Sequence, residues 1–216
     1  MSPALPPRAL ADAPDAALEL LIEGNARYVG ATPRERDFSA GRASRAEGQA
    51  PFAGILGCAD SRVTPELAFD QGPGDLFVVR IAGNFVTDEG LASLEFGVTV
   101  LGITLLVVLG HTGCGAVDAT MAALEGGTVF PGHIADLVRA MQPGIEPVLD
   151  RPGDRATNAV QANVLHNVER LRRAQPILAD LADRGAVRVV GGVYDLATGK
   201  VGLLEPVSEP AGPSLA

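Results

Sequence analysis

The chain has 216 residues, 47% of them hydrophobic and 20% charged, which suits one ordinary globular domain and excludes a disordered chain. Seventeen Lys and Arg against 26 Asp and Glu leave a formal net charge of −9. That excess argues against a broad nucleic-acid footprint, while a small anionic substrate responds to a local field and remains open.

Residues 1–14 hold four prolines and no hydrophobic period, and read as an N-terminal arm. Residues 15–29 place Leu18, Leu21, Ile22, Asn25, Ala26 and Val29 at helical spacing, which predicts an amphipathic helix. Residues 30–50 carry Arg34, Arg36, Arg42 and Arg45, and predict a connecting loop with a short helix and a solvated surface. An alternation then begins. Residues 52–56 form a short apolar run stopped by Gly57-Cys58, residues 76–81 a second strand, and residues 88–101 a helix. Residues 104–109 give a third strand ending at Gly110-His111, residues 114–125 a helix broken by Gly126-Gly127, and residues 157–174 a long helix. Residues 186–194 and 200–204 close the pattern as two strands joined around Thr198-Gly199.

Strands that are apolar throughout and alternate with helices predict an α/β fold. The expected architecture is a mainly parallel sheet of about four strands plus an antiparallel C-terminal strand, with helices on both faces. One domain over 15–205 is expected, followed by a tail over 206–216. The longest apolar stretch, 98–109, is too short to span a bilayer, and the N-terminus lacks the basic-then-apolar profile of a signal peptide. A soluble cytoplasmic protein without a membrane or nucleic-acid partner is expected. In that reducing setting two cysteines serve better as ligands or nucleophiles than as a bridge.

Ligands of parallel sheets gather at the carboxyl ends of the strands. The first strand ends in Cys58-Ala59-Asp60-Ser61-Arg62 and the third in His111-Thr112-Gly113-Cys114. Both cysteines and one of three histidines therefore fall on two loops at one sheet edge. Singly, each has an ordinary structural explanation as a small buried hydrophobe or a hydrogen-bonded ring. Together Cys58, His111 and Cys114 offer two thiolates and an imidazole, a donor set suited to tetrahedral Zn2+. His133 and His166 have no such companions and are expected to be structural or exposed. Asp60 is either a fourth ligand, which closes the metal, or is held off by a bidentate pair with Arg62, which leaves room for a water activated as nucleophile.

The segments GCADSRVTPE (57–66), FVVRIAGN (77–84), SLEFGV (93–98) and VVLGHTGCGAV (107–117) resemble the β-class carbonic anhydrases. EGNARYV (23–29) and GGVYDLATGKV (191–201) match in style and order, so the resemblance spans nearly the whole chain. It implies reversible hydration of CO2 to bicarbonate and a proton, with zinc on Cys58, His111 and Cys114 and a catalytic Asp60–Arg62 dyad. It also implies a homodimer or tetramer whose active site lies at a subunit interface, and an inactive state with Asp60 on zinc. Gln49 takes the position of a glutamine supplied by the partner subunit. Phe77 and Phe96 take those of aromatics lining the CO2 pocket, many relatives having Tyr at the latter, and Gly113 permits close backbone approach to substrate. A regulatory bicarbonate site in some relatives uses a tryptophan, an arginine and a tyrosine. This chain has no Trp, and its Arg80 and Tyr194 are expected to serve packing or subunit contacts. Two other readings keep the zinc scaffold: a CS2 or COS hydrolase, and a catalytically silent protein with a closed zinc site. A redox or nucleophilic-cysteine enzyme is disfavoured because no Cys-x-x-Cys pair exists.

Overall fold

The computed structural model describes residues 13–204, so most of the predicted arm and the whole of the predicted tail lie outside the described residues. Five strands form one sheet: β1 (Ala53–Gly57), β2 (Leu76–Arg80), β3 (Leu105–His111), β4 (Arg188–Tyr194) and β5 (Val201–Leu204). Their order is β2-β1-β3-β4-β5. The pairs β1·β2, β1·β3 and β3·β4 are parallel and β4·β5 is antiparallel, as the apolar runs and the Thr198-Gly199 turn predict. Every residue of β1 and β3 is buried, the signature of strands covered on both faces.

Alternate residues of β3 supply the two faces. Leu105, Val107 and Leu109 pack with Ile55 against Ala17, Leu18 and Leu21 of α1 (Pro14–Val29) and Ala68 of α3 (Pro65–Ala68). Leu106 and Val108 pack with Leu56 against Leu94 and Val98 of α4 (Asp88–Thr99) and Leu178 of α8 (Leu178–Asp183). That second cluster also takes Val164, Val168 and Leu171 from α7 (Arg155–Arg172). A third cluster at the carboxyl end of the sheet joins Cys58 and Cys114 to Phe85, Val117, Met141 and Ile145. It rests on α5 (Gly115–Gly126) and α6 (Ile134–Ile145). Two helix starts are fixed by side chains: Thr87 Oγ1 accepts from the Gly90 amide, and Asp154 Oδ1 from the Thr157 amide.

The amphipathic helix expected over 15–29 is α1, and its apolar face is partly buried in the chain: Ile22 and Val29 are 48% and 45% exposed, whereas Gly24 seats the helix against Phe69. A Cβ at Gly24 would lie 1.8 Å from the Phe69 carbonyl oxygen, so only glycine permits this approach. Asn25, on the same face, is a buried polar tie. Its amide donates to the carbonyls of Ala68 and Gly199, and its Oδ1 accepts from the Val201 amide.

One expectation needs correction: the arginines of 30–50 are not all solvated. In the short helix α2 (Arg42–Arg45), Arg42 is exposed and Arg45 half-buried, and Arg36 is half-buried and ion-paired to Asp70. Asp70 is 5% exposed and takes Arg27 Nε at 2.5 Å and Arg36 Nη1, while Arg36 Nη2 donates to its carbonyl at 2.5 Å. Burial works to raise the Asp70 pKa, but hydrogen bonds from Arg27 and Arg36 overcome it and hold the carboxyl below its ordinary value.

Candidate metal centre

The strand order turns back on itself at β1, which has β2 on one side and β3 on the other. The crevice beyond the carboxyl ends at such a switch point is where α/β sheets place ligands. Register sets the residues there. Gly57 pairs with Leu109, so Cys58 stands level with Gly110 and beside His111, the last residue of β3. Two residues later the chain turns through Gly113, at φ +62°, and Cys114 becomes the N-cap of α5.

The Cys58 and Cys114 Sγ atoms and a ring nitrogen of His111 all lie within 4.8 Å of one another, and all three residues are buried. The sulfurs are 4.0 Å apart. A tetrahedron with ~2.3 Å metal–sulfur arms has an edge of about 3.8 Å, so this spacing accommodates a central zinc ion. His111 is fully buried, and its Nδ1 donates to the Thr112 carbonyl at 3.0 Å. That bond fixes the tautomer and leaves the Nε2 lone pair free, and Nε2 has no hydrogen-bond partner. A buried imidazole nitrogen without a partner is costly unless something binds it, and a metal-ligating histidine uses its other nitrogen in this way. The donor set therefore fits zinc.

The electrostatics agree. Cys58 is drawn down to about 4, first by the hydrogen bond it shares with Cys114 and then by His111 and the amides of Gly83 and Asp60, against the opposing effect of burial. Cys114 moves up, because its proton is the one shared with Cys58 and because it is buried. Burial disfavours protonation of His111, yet the nearby Cys58 sulfur, the bond to the Thr112 carbonyl and the Asp60 charge outweigh it and raise its pKa. Both thiols are free.

Asp60 and Arg62 sit at the rim. Arg62 Nε and Nη2 donate to Asp60 Oδ1 and Oδ2 at 2.9 and 2.7 Å, and the Arg62 amide adds a third bond to Oδ1 at 2.9 Å. The pair holds the Asp60 carboxyl well below the usual carboxylate range, with the Arg62 side-chain bond as the main cause. Asp60 Oδ2 is 3.8 Å from His111 Nε2, so one oxygen faces the cluster. Arg62 Nη2 also reaches the Gly113 carbonyl at 3.2 Å and so ties the two loops together.

Other predicted residues do not join the cluster within one chain. Gln49 is exposed just before β1 and makes no hydrogen bond to the cluster among the described residues. Phe77 pairs with Gly54, four residues before the Cys58 level, about 13 Å along the strand. Its ring lies against Gly97 of α4, and Phe96 is 48% exposed on that helix. His133 is exposed and pairs with Asp136, while His166 is half-buried on α7. Tyr194 hydroxyl meets that of Tyr28 at 3.2 Å. Arg80 does more than pack: its Nε donates to the Cys58 carbonyl at 3.0 Å and its Nη2 to the Asp60 carbonyl at 2.6 Å. The sequence reading missed this clamp, although the position of Arg80 at the end of a neighbouring strand is the signal that could have shown it.

The fold and cluster define a class, α/β proteins with two thiols and an imidazole able to hold a metal ion at the switch point of a parallel sheet. A family model described as carbonic anhydrase matches residues 53–201. Carbonic anhydrase 2 of Mycobacterium tuberculosis is 40% identical over 197 residues, 90% of this chain and 94% of that protein. A carbonic anhydrase of Mycolicibacterium smegmatis is 41% identical over 193 residues, 88% of this chain and 93% of that one. Among solved structures, the β-carbonic anhydrase CcaA superimposes with a TM-score of 0.69 at 27% identity, over 88% of this chain and 96% of that chain. Coccomyxa β-carbonic anhydrase in complex with acetazolamide does so with a TM-score of 0.66 at 30% identity, over 77% of each chain. The chain belongs to the β-carbonic anhydrase family, and its enzyme class is that of the lyases.

Proposed function

We propose that this enzyme interconverts CO2 with bicarbonate and a proton, using a zinc ion held by Cys58, His111 and Cys114. The observation that carries the metal assignment is the buried His111 Nε2, without a hydrogen-bond partner, facing two thiols within 4.8 Å. Zinc bound to such a set supplies a water acidified to a pKa of about 7, a nucleophile at physiological pH. The protein does the rest. Asp60, kept anionic by Arg62, accepts the hydrogen bond of the attacking water through Oδ2 and turns its lone pair toward the CO2 carbon. Arg62 engages both Asp60 oxygens, so the closed state with Asp60 on the metal requires this ion pair to break.

Gln49, Phe77, Phe96 and Gly113 contact substrate in this proposal, with the first three brought to the site by a second subunit in a homodimer or tetramer. The exposed Ile22, Tyr28 and Val29 of α1 support such an assembly. Two β-carbonic anhydrases of the filamentous ascomycete Sordaria macrospora are tetrameric, and one solved chain is 25% identical to this one. Among the described residues no helix is long and apolar enough to cross a membrane. Two free thiols at the site suit a reducing compartment such as the cytoplasm. The named relatives are carbonic anhydrases, which lends no support to CS2 or COS as substrate.

Stopped-flow CO2 hydration with a pH indicator, paired with metal analysis, tests the proposal. The wild type carries about one zinc per chain and is active, while Cys58→Ser and His111→Ala lose both properties. Full activity in a zinc-free preparation overturns it.

A further inference from the structure

Helix α7 carries three polar residues, Asn163, Asn167 and Arg170, on the side that meets the loop after β2. Both asparagines are 1% exposed, in a helix whose other buried residues are Ala, Val and Leu. Burying two carboxamides costs stability unless their bonds are made, and here each asparagine makes one bond to the loop while Asn167 also braces Asn163. Asn163 Nδ2 donates to the Gly83 carbonyl at 2.9 Å. Asn167 Oδ1 accepts from the Val86 amide at 2.8 Å, and its Nδ2 donates to the Asn163 carbonyl at 2.8 Å and Oδ1 at 3.2 Å. Arg170 Nη1 donates to the Val86 carbonyl at 3.0 Å. The ladder thus grips the 83–86 loop at both ends.

The gripped loop is itself in an unusual conformation. Gly83 has φ +82° and Asn84 φ +41°, and a Cβ at Gly83 would stand 2.4 Å from Met141 Sδ. What this conformation achieves is one contact: the Gly83 amide donates to Cys58 Sγ at 3.3 Å. With the Asp60 amide at 3.4 Å it gives the sulfur two backbone donors. Such N–H···S bonds draw charge from a thiolate and fix the direction of its lone pairs, so they tune any metal the sulfur binds.

We propose that Asn163 and Asn167 are positioning residues that aim the Gly83 amide at the Cys58 thiolate and so set its electron donation to the metal. This rests on the zinc reading given above. Asn163 governs the carbonyl side of Gly83 directly, and Asn167 acts one step back, by orienting the Asn163 carboxamide and holding the Val86 amide. Asn163→Asp replaces the donor to the Gly83 carbonyl with an oxygen that repels it, at almost unchanged volume. Loss of aim leaves the thiolate richer in charge.

The test is Co2+ substitution of the full chain, reading the sulfur-to-cobalt charge-transfer absorption and the rate of metal release to a chelator. In Asn163→Asp the absorption moves to longer wavelength and metal leaves on the order of 10-fold faster. Asn167→Ala moves both in the same direction by less, and serves if the first variant fails to fold. Val168→Ala is the control: it opens a cavity on the same helix, where Val168 faces Gly191 of β4, removes no hydrogen bond to the loop, and leaves the absorption where it was. Unshifted absorption in both asparagine variants, or an equal shift in Val168→Ala, overturns the proposal while leaving the metal centre intact. A wild type that takes up no cobalt and shows no sulfur absorption removes the zinc reading and this inference with it.

Discussion

Replacing Asp60 by Asn separates the charge of the dyad from its shape. Oδ1 accepts from two donors, the Arg62 amide and Nε, both at 2.9 Å, so the asparagine must keep its oxygen there. Its NH2 group then occupies the Oδ2 position, 2.7 Å from Arg62 Nη2 and 3.8 Å from His111 Nε2. Donor faces donor on one side, and on the other the group that would accept from the attacking water has become a donor. A positioned acid–base group contributes about 10²–10⁴ in rate, or roughly 2.7–5.5 kcal/mol of barrier. The variant retains the two cysteines and His111, so zinc per chain stays at the wild-type value. Stopped-flow CO2 hydration over a range of pH, with metal content measured on the same sample, reads both quantities. A variant within about threefold of wild-type kcat/KM would refute the role given to Asp60, and a variant that loses zinc would refute the separation of dyad from ligands.

Two further outcomes follow from the packing. Asp70→Asn leaves two arginines, each with about a fifth of its side chain exposed, facing a neutral group; this costs about 3 kcal/mol at pH 7, the low end for a broken buried pair. Because the folded-state pKa of Asp70 is depressed, its contribution is complete above the ordinary carboxylate value of about 3.9 and is lost as pH falls through the folded value. Urea denaturation at fixed protein concentration should therefore show a gap between wild type and variant that is steady from neutral pH downward and closes below about pH 4; a constant gap at all pH values contradicts the assignment. Gly24→Ala gains about 1 kcal/mol of helix propensity but drives a methyl into the Phe69 carbonyl, 1.8 Å away, and overpacking of that kind costs about 1–3 kcal/mol or more. Net destabilisation in the same assay is expected, and a stabilised variant would show that α1 does not sit where it is described.

The sheet was legible because its strands are short, apolar throughout and bounded by glycine, and because 3.6-residue periods separate them. The metal cluster was legible for a different reason: with two cysteines and three histidines in the chain, three of them at two strand ends leave few arrangements. Helix α6 was missed although Ile134, Leu137, Val138, Met141 and Ile145 follow its period, because Pro131, Gly132 and Pro143 break the local pattern. Helix α8, six residues long, is too short to show a period. The Arg27–Asp70–Arg36 knot and the asparagine ladder were not readable at all. Their partners are 34 to 84 residues apart, and a lone Asp or Asn carries no mark of what it will meet. Phe77 and Phe96 illustrate a further limit: an aromatic's place in a sequence motif does not show where the fold puts it, and in the single chain Phe77 packs against Gly97 while Phe96 is exposed on α4.

The central claim is that two sulfurs and one imidazole nitrogen, from Cys58, Cys114 and His111, hold a single zinc ion. Zinc-edge X-ray absorption of the purified protein at neutral pH tests it most directly. The account predicts two sulfur neighbours at about 2.3 Å and one nitrogen at about 2.0–2.1 Å, with a sulfur lost in Cys58→Ser wherever any metal is retained. A shell made only of nitrogen and oxygen, or a protein that binds no zinc when it is supplied, would contradict it.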